Sequence, residues 1–141
     1  MSQEYPYGVG LNNVGSYQAS GIPFVSGSIT VVKDAAPIQI SFPDVTKRII
    51  VSVKNGSNDV RVGFSANGVL NNNFFTLSSG TTVASRLTMD VKVSSIYLFC
   101  NTGSTNSLVD VAAELTNIST TLLQKSGPTG LPNWSGSVGV G

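Results

Sequence analysis

Catalysis begins with titratable and nucleophilic side chains, and this chain has few of them. No histidine occurs in its 141 residues. That removes the Ser-His and Cys-His nucleophile pairs, the commonest general acid–base residue and the commonest metal ligand. The single cysteine, Cys100, excludes an internal disulfide and a zinc site of paired cysteines. It alternates with Ile96 and Leu98 and reads as a small core residue. The acids are Glu4, Asp34, Asp44, Asp59, Asp90, Asp110 and Glu114, widely spaced along the chain. Two converging carboxylates could serve a hydrolase. Asp44, Asp59 and Asp90 instead fall at expected turns, where the side chain bonds nearby backbone. Asp110 and Glu114 sit four apart on one strand face, which reads as a solvated face.

Ligand-binding loops are equally sparse. Asn71-Asn72-Asn73 and the stretch 55–59 are rich in oxygen, but neither has the spacing of a calcium loop. Glycine is plentiful, yet no strand–GxGxxG–helix or Gly-Lys-Ser/Thr phosphate loop occurs. The expectation is a protein without catalytic residues, cofactor or metal.

Charge points the same way. Eight Lys plus Arg against seven Asp plus Glu leave a formal charge of +1, with basic residues scattered singly apart from Lys47-Arg48. A nucleic-acid binder would show a basic patch, so no specific nucleic acid is expected. Charged residues make up 11% of the chain, against roughly 25% in ordinary soluble domains. A nearly neutral, polar surface resists self-association poorly. Such a protein expects neighbours. The N-terminus lacks a basic start followed by an apolar core, so no secretory signal is expected, and no stretch approaches the ~20 apolar residues of a membrane span.

The elements that position these residues are short β-type runs. From Ser26 to Leu115 they are 28–32, 38–42, 48–53, 60–64, 74–77, 81–93, 96–100 and 108–115, separated by turn residues. Asn55-Gly56-Ser57-Asn58 predicts a tight hairpin turn between the third and fourth. In 81–93 the apolar residues Val83, Leu87, Met89, Val91 and Val93 share one parity; after Ser94-Ser95 the parity passes to Ile96, Leu98 and Cys100. A one-residue slip exchanges the faces of a strand, so a turn or bulge is expected near Ser94. Eight such runs in one domain of this length predict an all-β fold, an eight-stranded antiparallel β-sandwich or barrel. The chain is long enough to bury roughly two-thirds of its unfolded surface.

Arms flank this domain. Residues 1–25 carry Tyr5, Tyr7 and Tyr17 among Gly and Pro, with no sustained period, and predict an extended N-terminal arm lying along a surface. Residues 119–141 form a Gly/Pro-rich tail holding the only tryptophan, Trp134, expected to anchor on a partner, with packing back on its own domain as the alternative. The domain itself is placed at 26–118. Tyr97 and Phe99 have the parity opposite to Ile96, Leu98 and Cys100, so they are expected on the outer face of their strand, as an interface or a sugar-stacking surface. The candidate interface residues are therefore Tyr5, Tyr7, Tyr17, Tyr97, Phe99 and Trp134.

Eight strands between two arms are the layout of a single jelly roll. Phe42 to Gly56 (FPDVTKRIIVSVKNG) and Val60 to Val69 (VRVGFSANGV) resemble small virion proteins of large icosahedral double-stranded DNA viruses. Asp90 to Leu98 (DVKVSSIYL) and Val109 to Ile118 (VDVAAELTNI) extend the likeness. It is greatest to the single jelly-roll penton proteins of the adenovirus-like, double-jelly-roll capsid lineage, and rests on composition, size and strand rhythm over residues 26–118. The resemblance implies a structural virion protein at the capsid vertex, a homopentamer in contact with neighbouring major and minor capsid proteins, and no catalytic residues. Two other readings share the fold class: a carbohydrate- or receptor-binding β-sandwich, such as a fibre head or lectin-like module, and an outer capsid decoration protein. An enzyme ranks last.

Overall fold

The computed structural model describes residue 11 and residues 21–55, 59–78, 85–100, 106–123 and 132–141. The described residues form eight strands: β1 (Ile22–Val31), β2 (Ile38–Ser41), β3 (Asp44–Asn55), β4 (Val60–Gly63), β5 (Phe75–Leu77), β6 (Arg86–Met89), β7 (Ser95–Phe99) and β8 (Ser107–Ser119). A one-turn helix, α1 (Ala66–Leu70), lies between β4 and β5, and a 3-10 turn (Thr120–Leu123) follows β8. Every strand pair is antiparallel.

The strands form two four-stranded sheets, ordered β1-β8-β3-β6 and β2-β7-β4-β5. The first strand therefore pairs with the last, the second with the seventh, the third with the sixth and the fourth with the fifth. This nested pairing is that of a hairpin wrapped around a barrel, a single jelly roll. The predicted fold class holds.

Alternation explains which faces meet. Along β8 the residues Ser107, Val109, Val111, Ala113 and Leu115 are buried while those between them are half-buried. Ile49, Val51 and Val53 of β3 do the same. Against them the second sheet sends Val60, Val62, Leu77, Ile96 and Leu98, together with Cys100 just past β7. Each such side chain contributes about 1.5–3 kcal/mol on full burial. Val45, Ile118 and Leu123 form a second, smaller core, with Leu11 packed on it.

The irregular stretch between β6 and β7 is stitched to β3 by a buried threonine. Thr46 donates its hydroxyl to the Val91 carbonyl at 2.7 Å and accepts the Val93 amide at 3.2 Å. The backbone amide of Thr46 also reaches the Val93 carbonyl. The parity change near Ser94 is thus the place where the chain leaves one sheet for the other, β6 and β7 lying in different sheets.

Three boundaries differ from expectation. β1 begins at Ile22, so four residues assigned to the arm belong to the sheet, and β8 runs on to Ser119. The long run 81–93 condenses to the four residues of β6, with 81–84 outside the described residues. The Asn-Gly signal at 55–58 does not mark a paired hairpin: β3 pairs with β6 and β8, and β4 with β5 and β7. Such residues favour a reversal of the chain. Which strand lies alongside is decided by where the apolar faces can meet.

Candidate interaction surfaces

The outer face of the second sheet was expected to display aromatics, and it does carry them. β4 residue Arg61 is opposite Phe99 on β7, and Gly63 is opposite Tyr97. Both aromatics are nevertheless only 8% exposed. α1 lies over them, packing Val69 against Tyr97 and Phe99, with Phe74 at the margin. The Arg61 guanidinium stands 4.1 Å from the Phe74 ring centroid and 5.6 Å from that of Phe99, and donates to the Val69 carbonyl at 3.0 Å. Cation–π attraction strengthens when such a pair is partly desolvated. Tyr97 and Phe99 therefore hold α1 on the sheet, and within one chain they are not an open stacking surface.

The helix itself has a local cause that the sequence carried at Ser65. That residue takes an extended backbone and its hydroxyl accepts the Gly68 amide at 2.8 Å, the ordinary N-cap arrangement. Asn67 and Gly68 read as a turn, and the cap makes the turn helical.

Trp134 also differs from expectation. It lies against both cores, and its indole Nε1 donates to the Phe64 carbonyl at 2.9 Å. The tail around it is a run of turns: Ser135 bonds Pro132, Ser137 bonds Trp134, and Val140 bonds Ser137. Gly136 and Gly139 have φ of 85° and 88°, a region that glycine enters without strain. Ser65 donates its hydroxyl to the Val140 carbonyl at 2.9 Å. A Cβ on Gly68 would stand 2.1 Å from that same oxygen, so only glycine admits the tail. Residues 132–141 thus pack on their own domain, and Trp134 anchors there rather than on a partner. Tyr5, Tyr7 and Tyr17 lie outside the described residues.

Charges gather on the outer face of the first sheet. Arg48 bonds Asp90 at 2.6 Å and stands 3.5 Å from Glu114, which Lys47 approaches at 3.9 Å. Asp90 therefore answers an arginine, not turn backbone. Asp110 also has a partner, accepting the Ser28 amide at 2.7 Å where β1 bulges and Ser28 takes φ 56°. Among the described residues no three His, Cys, Asp or Glu side chains come together. No helix among them is long and apolar enough to cross a membrane.

The hydrogen bond from Arg48, reinforced by its charge, holds the Asp90 carboxyl below the usual aspartate range. A depressed folded value means that the pair stabilises above that range and ceases to do so as pH falls through it. Both groups are solvent-exposed, so the effect is small and screened by salt. In thermal melts Asp90→Asn should melt slightly below the parent near neutrality, the gap closing as the pH falls below ~4. A gap that persists in acid contradicts this pairing.

Burial pushes the Tyr97 phenol above the ordinary tyrosine value. A raised folded value leaves its contribution intact below pH ~10 and removes it as pH rises further. Spectrophotometric titration of the four tyrosines should show one late phenol that disappears in Tyr97→Phe.

Three hollows lie among the described residues. One, of about 190 Å³, is walled by uncharged polar groups of Gln39, Ser41, Ser94, Ser95 and Thr120, with Pro132 at its edge. Ser95 Oγ is the one buried side-chain polar atom among the described residues without a hydrogen bond. A second, of about 220 Å³, lies between Tyr97, Asn67 and Ser135. A third, of about 390 Å³ and mostly apolar, opens between β5 and β6.

Comparison with known proteins adds little. No family model matches the chain, and no curated protein does. A solved structure of Bacillus endospore appendages, described as forming a family of disulfide-linked pili, aligns with 79% of this chain and the whole of that one. The identity is 14% and the TM-score 0.43, too loose an overlap to transfer a role.

Proposed function

We propose that the chain is a structural building block, the penton subunit that closes the fivefold vertices of an icosahedral double-stranded DNA virus capsid. The reading is carried by the nested eight-strand pairing, which is the jelly roll that the sequence resemblance implies. A fold by itself does not define a role. Two features support assembly here. The surface is nearly neutral and weakly charged. It also leaves Ile22, Val25, Val32, Leu70, Phe75 and Val138 exposed. A ring of identical subunits joins one patch to a different patch on the next copy, and uncharged sides do so without desolvating ions. Under this reading the subunit contacts neighbouring major and minor capsid proteins at the vertex and its residence is the virion.

Native mass spectrometry of the full chain tests it. A closed pentamer supports the vertex role, a trimer favours a fibre head, and a strict monomer leaves a binding module or decoration protein. Removing residues 1–20 should impair incorporation into particles while the isolated domain melts normally. Removing 132–141 should damage the fold as well, because Trp134 packs against both cores.

The hydroxyl- and amide-lined hollow beside Ser95 favours a second reading, a carbohydrate- or receptor-binding sandwich. Neutral sugar hydroxyls suit such walls, as ions do not. Glycan-array binding abolished by Gln39→Ala would establish that reading over the capsid one.

A further inference from the structure

The two lateral edges of this sandwich are unlike each other in a complementary way. On one side β1 ends the first sheet and exposes Val25 to 74% and Ile22 to 45%. On the other side β6 ends that sheet and β5 ends the second. Between them opens the apolar cavity of about 390 Å³, walled by Val62, Phe64, Phe75, Leu87 and Met89. Phe75 is itself 55% exposed at its mouth.

Register puts these features at the same height. Val25 is opposite Ala112, Ala112 opposite Ile50, and Ile50 opposite Thr88, which sits between the cavity residues Leu87 and Met89. The next row runs from Asp110, at the β1 bulge, through Ser52 to Arg86. Asp110 and Arg86 take part in none of the ion pairs among the described residues. A rotation about an axis parallel to the strands leaves each row level from one copy to the next. The acid of β8, one strand in from the β1 edge and bonded to Ser28 of the β1 bulge, then comes level with the cation on β6, and the apolar knob comes level with the apolar cavity.

We infer that the partner of this surface is a second copy of the chain, packed edge to edge. The β1 edge of one copy lies against the β5/β6 seam of the next, Val25 enters the cavity, and Asp110 faces Arg86. The contact is heterologous, so repetition closes a ring when the rotation permits and propagates a filament when it does not. This inference rests on the assembly reading above and adds to it the surfaces that meet.

Sedimentation equilibrium of the full chain with paired charge reversals tests it. Val25→Asp should weaken association at least about tenfold, as loss of a buried interface anchor does. Arg86→Asp and Asp110→Arg should each weaken it, and the double variant should restore it, while the melting temperature of Arg86→Asp stays that of the parent. The Arg86 and Val25 variants alter exposed side chains, so they serve even if loss of the Ser28 bond unfolds Asp110→Arg. An oligomer insensitive to Val25→Asp and Arg86→Asp overturns the edge-to-edge contact and leaves the assembly reading standing. Single reversals that weaken without mutual rescue overturn the Asp110–Arg86 pairing. A chain that stays monomeric at every concentration overturns both readings.

Discussion

A Trp134→Ala variant should unfold about 2–4 kcal/mol more readily than the parent chain, somewhat below the full cost of truncating a buried tryptophan because the residue is only partly buried. The indole touches the main core and the smaller one around Val45, Ile118 and Leu123, so its removal opens space at the junction of both. It also leaves the Phe64 carbonyl without its donor. Trp134→Phe separates the two effects: the ring keeps most of the packing and loses only the N–H, which should cost about 1 kcal/mol. Denaturant titration followed by circular dichroism measures both. Because the chain has one tryptophan, its fluorescence in the parent reports the docked tail directly and should shift red before or with global unfolding. A Trp134→Ala chain as stable as the parent would mean that the tail is a free arm after all.

Leu98→Ala should cost about 2–5 kcal/mol, the usual range for emptying a fully buried leucine site. Leu98 is 0% exposed and lies on β7, between β2 and β4, so neighbours on both sides prevent the backbone from collapsing into the void. Val25→Ala is the contrasting case. With that side chain 74% exposed, the isolated domain should keep its stability to within about 0.5 kcal/mol while any assembled species weakens. Equal losses of stability in the two variants would refute the division between core and interface.

The strand count and strand faces are legible in the sequence because burial on one face of a pleated strand imposes alternation. Ile38 and Ile40 alternate along β2, and Val109, Val111 and Leu115 along β8. The change of parity at Ser94 marked the passage between sheets for the same reason. The parity of Tyr97 and Phe99 puts them on the outer face, yet nothing local in β7 shows that a helix about thirty residues earlier covers that face. The Ser65 cap was visible as a residue type, but a five-residue helix has too few positions to display a period. The docking of Trp134 is not legible in the sequence because a Gly/Pro-rich segment carries no periodic signal, while that docking depends on Gly68 and the Phe64 carbonyl, some seventy residues away.

The amino-acid order alone settled the secondary structure class, the inward residues and the poverty of reactive groups, since these follow from side-chain chemistry and short-range spacing. Only the folded chain decided which strands lie together, that the last ten residues return to the body, and that Val25 stands level with an apolar cavity on the opposite edge. Those outcomes depend on contacts between positions far apart in the chain, where a residue's role is set by what meets it in space and not by its neighbours in sequence.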